Sequence, residues 1–186
     1  AMARYFEFYG GAADKVTGET IPFAAGYTAL TLREPHGVTG HIVPWNYPMQ
    51  IIGRSVGAAL AMGNACVLKP AEEACLTALA VAQLALEAGL PPGVLNVVNG
   101  DKEAVDTLLT DPRVKAVSFV GSTPIAEYIY TTGCAHGKRV QCFGGAKNHM
   151  VVMPDADMDQ AVDALIGAGY GSAGERCMAI SVAVPV

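Results

Sequence analysis

The 186-residue chain is poor in charged residues and lacks the patterns that mark several functional classes. Asp, Glu, Lys and Arg make up only 16% of it, against roughly a quarter in typical soluble domains. Its twelve Lys and Arg residues are scattered and its net charge is −5, which excludes a basic surface for nucleic acid. No apolar run reaches the ~18 residues that a membrane span needs. The four histidines lack metal-ligand spacing, so no metal site is predicted.

The cysteine pattern does not predict disulfides. The five cysteines are odd in number and form no C-x-x-C pair, and no secretory signal opens the sequence. This pattern is typical of a reducing compartment, and we expect a cytoplasmic protein. The high hydrophobic content, 52%, indicates that part of the surface faces a partner domain or subunit.

The chain does contain a regular alternation of predicted strands and helices. Most strands consist of Val, Ile, Leu and Ala, as expected for a parallel sheet that is covered on both faces. We therefore predict a Rossmann-like α/β fold, an open, mostly parallel sheet in three layers, as one domain over residues 1–186. The strands are expected in the segments YTALTLREPHG, VTGHIVPW, ACVLKP, GVLNVVNG, KAVSFVGS, KRVQCFGG and HMVVMP.

Polar residues follow three of these strands at the point where each one ends. Trp45 and Asn46 follow one strand, the segment 69–72 follows the next, and Gly121 and Ser122 follow a later one. Parallel sheets bind ligands beyond the carboxyl ends of their strands. Each segment alone is consistent with an ordinary turn, but their shared position predicts a ligand site.

Two of these segments have the chemistry to hold a dinucleotide. Gly121 and Ser122 lead directly into a helix, where free N–H groups and the positive helix end favour a phosphate. The full G-x-G-x-x-G fingerprint is absent, because Ala126 stands where another glycine is expected. Lys69 and Glu72 can hold the hydroxyls of an adenosine ribose, and a carboxylate there repels a 2′-phosphate, which predicts NAD rather than NADP. The alternative is that Glu72 only opens the next helix.

Cys177 is the candidate nucleophile. It follows the small residues Gly171 and Gly174 and directly follows Arg176, whose charge favours a thiolate. The alternative is a buried structural cysteine, since free cysteines are among the most buried residue types.

Four motifs, PWNYP, KPAE, FVGST and GERC, resemble the aldehyde dehydrogenase superfamily in their order and spacing. The resemblance covers essentially the whole chain. It implies that the Cys177 thiolate attacks a small-molecule aldehyde. The Asn46 amide and the backbone N–H of Cys177 then hold the oxyanion, and transfer of hydride to NAD leaves a thioester on Cys177.

The same resemblance implies the contacts with the cofactor and the substrate. The cofactor contacts are Lys69 and Glu72 at the adenosine ribose, Gly121 and Ser122 at the pyrophosphate, and Val43, Pro44 and Trp45 along the nucleotide channel. Tyr47 and Arg176 are the implied substrate contacts.

One position departs from the hydrolytic members of the family, which carry a water-activating glutamate two residues before the paired glycines. Here Cys142 and Phe143 occupy the candidate places, and no acid occurs between Glu127 and Asp155. Water, with a pKa of about 15.7, needs a base, whereas a thiol with a pKa of about 8.5 is already partly ionised. We therefore expect coenzyme A (CoA) to remove the acyl group.

The two halves of the chain resemble different subfamilies. The second half looks like the CoA-acylating methylmalonate-semialdehyde dehydrogenases, in which Arg176 would pair with the substrate carboxylate. The first half, including Tyr47, looks like hydrolytic dehydrogenases of aromatic or general aldehydes. We infer a hybrid with a junction near Asn96. The alternatives are a hydrolytic aldehyde dehydrogenase and a catalytically silent nucleotide-binding module.

The resemblance also implies that family members are longer than this chain. Their catalytic and oligomerisation domains are expected to lie outside it, with no counterpart here of the projecting strand pair or of the acid that orients the nicotinamide ribose. We expect the full-length form to be a homo-oligomer and the 186 residues alone to be inactive.

Overall fold

The computed structural model describes residues 2–186. These residues separate into two compact units, residues 2–143 and Gly144–Val186. The prediction that one nucleotide-binding domain spans all 186 residues concerns both units and stays a prediction.

The first unit contains the parallel sheet. Its elements are α1 (Met2–Ala12), β1 (Thr20–Ile21), β2 (Ala29–Leu30), β3 (Val38–Ile42), α2 (Pro48–Ala61), β4 (Ala65–Lys69), α3 (Cys75–Glu87), β5 (Leu95–Val97), α4 (Lys102–Thr110), β6 (Val114–Val120), α5 (Thr123–Ala135) and β7 (Arg139–Phe143). Five strands pair in parallel in the order β5-β4-β3-β6-β7. The predicted Rossmann-like α/β class is confirmed.

The strand order places a change of winding direction at the centre of the sheet. The chain runs outward from β3 through β4 to β5, and then returns to add β6 and β7 on the other side of β3. Ligands of open α/β sheets bind at such a switch point, beyond the carboxyl ends of the strands. The loops after β3 and β6 are therefore the natural place for a ligand.

Two apolar clusters hold the helices onto the sheet. One contains Ile52 and Val56 of α2 with Leu68 of β4, and the other contains Leu109 of α4 and Ile129 of α5. All five side chains are fully buried. Burial of each is worth about 1.5–3 kcal/mol, so these contacts account for much of the attachment of the helices.

Helix α3 is apolar in composition but buries little of its surface. Only Ala78 and Val81 are buried, while Leu76 is 77% and Leu84 is 59% exposed. The apolar composition of α3 therefore gives one buried face and an apolar outer surface.

Strands β1 and β2 form a separate antiparallel pair with exposed apolar residues. The predicted strand over residues 27–37 is reduced to Ala29–Leu30, which pairs with Thr20–Ile21. Phe23 and Tyr27 pack edge to face in the connection and are 72% and 73% exposed. A strand pair at this place was not predicted, because two-residue strands give no readable alternation.

The second unit contains β8 (Asn148–Val152), α6 (Met158–Tyr170) and β9 (Ile180–Pro185), with a 3₁₀ turn at Gly171–Gly174. Strands β8 and β9 pair in parallel. Asp157 is the N-cap residue of α6, and its side chain accepts a hydrogen bond from the Gln160 backbone N–H. Strand β9 was not predicted.

Residues 2–186 contain neither a candidate membrane span nor a candidate metal cluster. In that range no helix is both long and apolar enough to cross a membrane. The same residues contain no group of three or more His, Cys, Asp or Glu side chains arranged to hold a metal ion.

A buried histidine joins β3 to α2. The Thr39 hydroxyl lies 3.1 Å from the Ala65 carbonyl oxygen and donates its hydrogen there, so Thr39 Oγ1 accepts from Nε2–H of His41 at 2.8 Å. Nδ1 of His41 then accepts from the Ser55 hydroxyl at 2.5 Å. Burial lowers the pKa of His41 to about 4, and the ring is neutral.

The lowered pKa of His41 predicts a loss of stability in acid. Between pH 6.5 and 4 the unfolded chain binds a proton that the folded chain does not, so the free energy of unfolding falls by about 3 kcal/mol as pH falls through this window. Urea unfolding of wild type and His41→Asn at several pH values measures the difference. We expect the variant to be less stable at pH 7 but to lose less stability towards pH 4. Equal pH dependence in both proteins would contradict the assignment, and exposed His136→Gln is the control.

Candidate functional site

Three loops leave the same edge of the sheet. Ile42 at the end of β3 pairs in register with Lys69 of β4 and with Phe119 of β6. The segments 43–46, 70–72 and 121–122 therefore start side by side, with the β3 loop in the middle. The predicted cofactor residues are thus neighbours, while their binding roles stay predictions.

The β3 loop contains both buried and accessible residues. Val43 is 3% exposed, packs in the core and donates its N–H to the Lys69 carbonyl at 3.1 Å. Its side chain is therefore part of the core, and its place along the nucleotide channel stays a prediction. Trp45 is 51% exposed, so the alternative of a core tryptophan is wrong. Pro44 and Asn46 are partly buried.

Tyr47, the predicted substrate contact, stands at the N-cap position of α2 and packs against the core cluster that α2 shares with β4. Its ring therefore helps to fix the end of the loop that carries Asn46.

Lys69 joins the loop after β4 to the loop after β5 by hydrogen bonds. Its ammonium group is buried and donates to the Pro70 carbonyl at 2.7 Å and to the Gly100 carbonyl at 2.9 Å. An ammonium has three hydrogens, so one remains for a ligand. Glu72 is exposed and opens a 3₁₀ turn, Glu72–Ala74, before α3. Its position as a helix opener does not prevent a role at a ribose.

The β6 loop differs from the prediction in one hydrogen bond. The Gly121 N–H donates to the Phe143 carbonyl at 3.0 Å, so it is not free to bind a phosphate. Ser122 is the N-cap residue of α5, and its side chain makes no capping hydrogen bond. Ser122 and the N-terminus of α5 are therefore the part of this loop available to an anion.

The end of β7 presents an apolar side chain. Phe143 is 54% exposed, whereas Cys142 packs with the core cluster below α5. Burial raises the pKa of the Cys142 thiol, so it stays protonated at neutral pH and cannot accept a proton from water. Of the two candidate places for that single glutamate, one holds a packed thiol and the accessible one holds a phenyl ring.

Cys177 lies in the second unit, in a turn that the Ala179 N–H closes by donating to the Arg176 carbonyl at 3.0 Å. It is exposed, so the alternative of a buried structural cysteine is wrong. Nη2 of Arg176 donates to the carbonyls of Gly167 and Ala168, the latter at 2.9 Å, at the end of α6. From the sequence, Arg176 was predicted to stabilise the thiolate or to bind the substrate. In this structure its Nη2 instead donates to carbonyls at the end of α6.

A parallel sheet with these loops at its switch point defines the class of nucleotide-binding α/β domains. Comparison with known proteins narrows this class. The sequence profile of the "Aldehyde dehydrogenase family" matches residues 1–184. The chain belongs to the aldehyde dehydrogenase family.

Individual relatives point to one kind of aldehyde dehydrogenase. A malonate-semialdehyde dehydrogenase of Pseudomonas aeruginosa is 62% identical over 153 residues, 82% of this chain and 31% of that protein. One of Halalkalibacterium halodurans is 51% identical over 181 residues, 97% of this chain and 37% of that protein. A Sinorhizobium meliloti structure with bound NAD, named for methylmalonate-semialdehyde dehydrogenase, is 56% identical with a TM-score of 0.91, covering 97% of this chain and 37% of that one.

These relatives bear on two expectations. The chain spans about a third of the length of the curated relatives it matches. A match over 181 residues includes both sides of Asn96, so one subfamily is similar to both halves. The comparisons give no support for a hybrid with a junction at that point.

The β6 loop predicts a specific sensitivity at Gly121. A Cβ there would lie 2.4 Å from Cζ of Phe119, so Gly121→Ala is expected to lower the free energy of unfolding by about 1–3 kcal/mol through overpacking. Urea denaturation measures this change. The control is Gly10→Ala in α1, where a Cβ meets nothing within 4 Å and the helix should gain up to about 1 kcal/mol. A Gly121→Ala variant as stable as wild type would contradict this packing.

Proposed function

We propose that the chain forms the cofactor site and carries the thiol of an NAD-dependent dehydrogenase that oxidises a semialdehyde carboxylate and transfers the acyl group to CoA. The observation that carries this proposal is the exposed phenyl ring of Phe143 at the end of β7, in a chain with no acid between Glu127 and Asp155. The names of the malonate-semialdehyde dehydrogenase relatives support the substrate class.

The residues at the carboxyl edge fit NAD. Lys69 has one ammonium hydrogen left for a ribose hydroxyl, and the exposed Glu72 carboxylate accepts from such hydroxyls and repels a 2′-phosphate. Ser122 and the N-terminus of α5 suit the pyrophosphate. When bound, NAD accepts the hydride. A related structure with bound NAD supports this assignment.

The chemistry assigned to Cys177 begins with the attack of its thiolate sulfur on the aldehyde carbon, which forms a C–S bond and an oxyanion. The Cys177 N–H donates to that oxyanion, and the role of the Asn46 amide as a second donor stays a prediction. When the C=O bond re-forms, the carbon loses its hydrogen as hydride and a thioester remains on Cys177.

The second half-reaction depends on which nucleophile removes the acyl group. Residues 128–154 contain no carboxylate that could take a proton from water, whereas the thiol of CoA ionises without a dedicated base. The CoA thiolate attacks the acyl carbon, and the Cys177 thiolate leaves. This favours thiolysis over the hydrolytic alternative.

A homo-oligomer is the proposed assembly of the full-length protein. The β1–β2 pair, with Phe23 and Tyr27 more than 70% exposed, supports this proposal. An apolar strand pair of this kind has edges and rings that a second copy can cover.

NAD binding can be tested on the 186-residue chain by titration calorimetry. We expect NAD to release or absorb measurable heat, and Glu72→Gln to weaken NAD binding by about tenfold or more, because hydrogen bonds to a charged group are lost. NADP should bind wild type more weakly than NAD, and the variant should discriminate less. Glu73→Gln, which changes the neighbouring exposed acid in the same turn, is the control. The absence of heat at millimolar NAD would contradict the cofactor assignment. It would also contradict the alternative of a catalytically silent module that binds the nucleotide.

The release of the acyl group can be tested in a chimera in which the 186-residue chain replaces the matching segment of the Pseudomonas aeruginosa relative. We expect repeated turnover with malonate semialdehyde and NAD only when CoA is present. Phe143→Glu should raise CoA-independent turnover by about 10- to 100-fold by supplying a base, while Phe143→Gln should not. Equal rates with and without CoA in the parent chimera would refute thiolysis and favour the hydrolytic reading.

A further inference from the structure

We propose that Asn148 is a positioning residue for Cys177: its side-chain amide fixes the peptide plane that follows the reactive cysteine. This inference rests on the proposed function of Cys177 as nucleophile. Both residues belong to the second unit, and the geometry that relates them lies entirely within it.

The Cys177 turn is not held by burial. Cys177 is exposed and the next residue, Met178, is 73% exposed. A solvent-exposed turn keeps one conformation only if hydrogen bonds hold it, because each free residue gains roughly 1–2 kcal/mol of conformational entropy when it moves. The orientation of the thiol therefore depends on the polar contacts of the turn.

Asn148 provides two such contacts. Its Nδ2 donates to the Cys177 carbonyl at 2.8 Å and to the Ala179 carbonyl at 2.9 Å. Both amide hydrogens are thereby used, and because both partners are carbonyl oxygens only the NH₂ end of the side chain fits here. One side chain thus holds the middle and the end of the turn.

The sheet does not hold this part of the turn by itself. Asn148 pairs with Ile180, but His149 pairs with Val182, so the register of β8 and β9 shifts by one residue beside the turn. At such an irregularity the ladder of backbone hydrogen bonds is interrupted. The Asn148 amide supplies hydrogen bonds at the point where the ladder is irregular.

The peptide plane before Cys177 is held independently. Its carbonyl, on Arg176, accepts from the Ala179 N–H, and the Arg176 side chain is bonded to the end of α6. A fixed plane on each side of a Cα atom fixes both backbone dihedral angles of that residue. The Cys177 N–H and the direction of the Cα–Cβ bond are therefore set together, while the thiol stays exposed.

The test compares single-turnover kinetics of the chimera described above with and without Asn148→Ala. Misplacing the thiol and its N–H by about 1 Å should slow NADH formation by about 10- to 100-fold at saturating NAD and malonate semialdehyde, without CoA. The NAD concentration that gives half of the maximal single-turnover rate should stay within about twofold of the parent value, because the cofactor residues are untouched. Asn148→Ser, which keeps one donor, is expected to lie between the two and serves if the alanine variant does not fold.

Asn96→Ala is the matched control. The Asn96 amide also donates to two backbone carbonyls, those of Gly93 at 2.8 Å and Cys66 at 3.5 Å, but in the first unit. We expect its NADH rate to stay within about threefold of the parent. If Asn148→Ala also stays within threefold, or if both variants slow equally, the positioning role is overturned. Cys177→Ser separates the two proposals: continued NADH formation in that variant refutes the nucleophile itself rather than the role of Asn148.

Discussion

The buried ammonium of Lys69 shapes the carboxyl edge of the sheet on which the nucleotide assignment depends. A charge removed from water must have its hydrogens accepted, and here two go to the carbonyls of Pro70 and Gly100. These bonds connect the loop after β4 to the loop after β5. The third hydrogen is the one feature of the group left for a ligand, next to the exposed Glu72. The same side chain thus stabilises the two loops and also provides a proposed contact for the ribose.

The sequence predicted the parts of the fold that depend on local pattern. Runs of apolar residues gave the parallel strands, and polar residues after them gave the ligand edge. Contacts between distant residues could not be read in this way. The Gly121 N–H is taken by Phe143, and Lys69 by Gly100, 31 positions away in the chain. Strand β9 was missed because its pairing with β8 crosses a helix and a turn.

The same limit applied to the thiol. Arg176 directly precedes Cys177 in the sequence, which suggested that its guanidinium stabilises the thiolate or binds the substrate. In three dimensions its Nη2 binds carbonyls at the end of α6, and Gly171 packs so closely that a Cβ there would lie 2.7 Å from this nitrogen. The Cys177 turn is thereby fastened to α6 on one side and to β8 on the other.

The central claim is that Cys177 carries the acyl group and that CoA, not water, removes it. Mass spectrometry of digested chimera after incubation with NAD and malonate semialdehyde, without CoA, tests it most directly. We predict an acyl adduct on the peptide containing Cys177 that persists until CoA is added and then disappears. An unmodified Cys177 peptide during NADH formation, or an adduct lost at the same rate without CoA, would contradict the account.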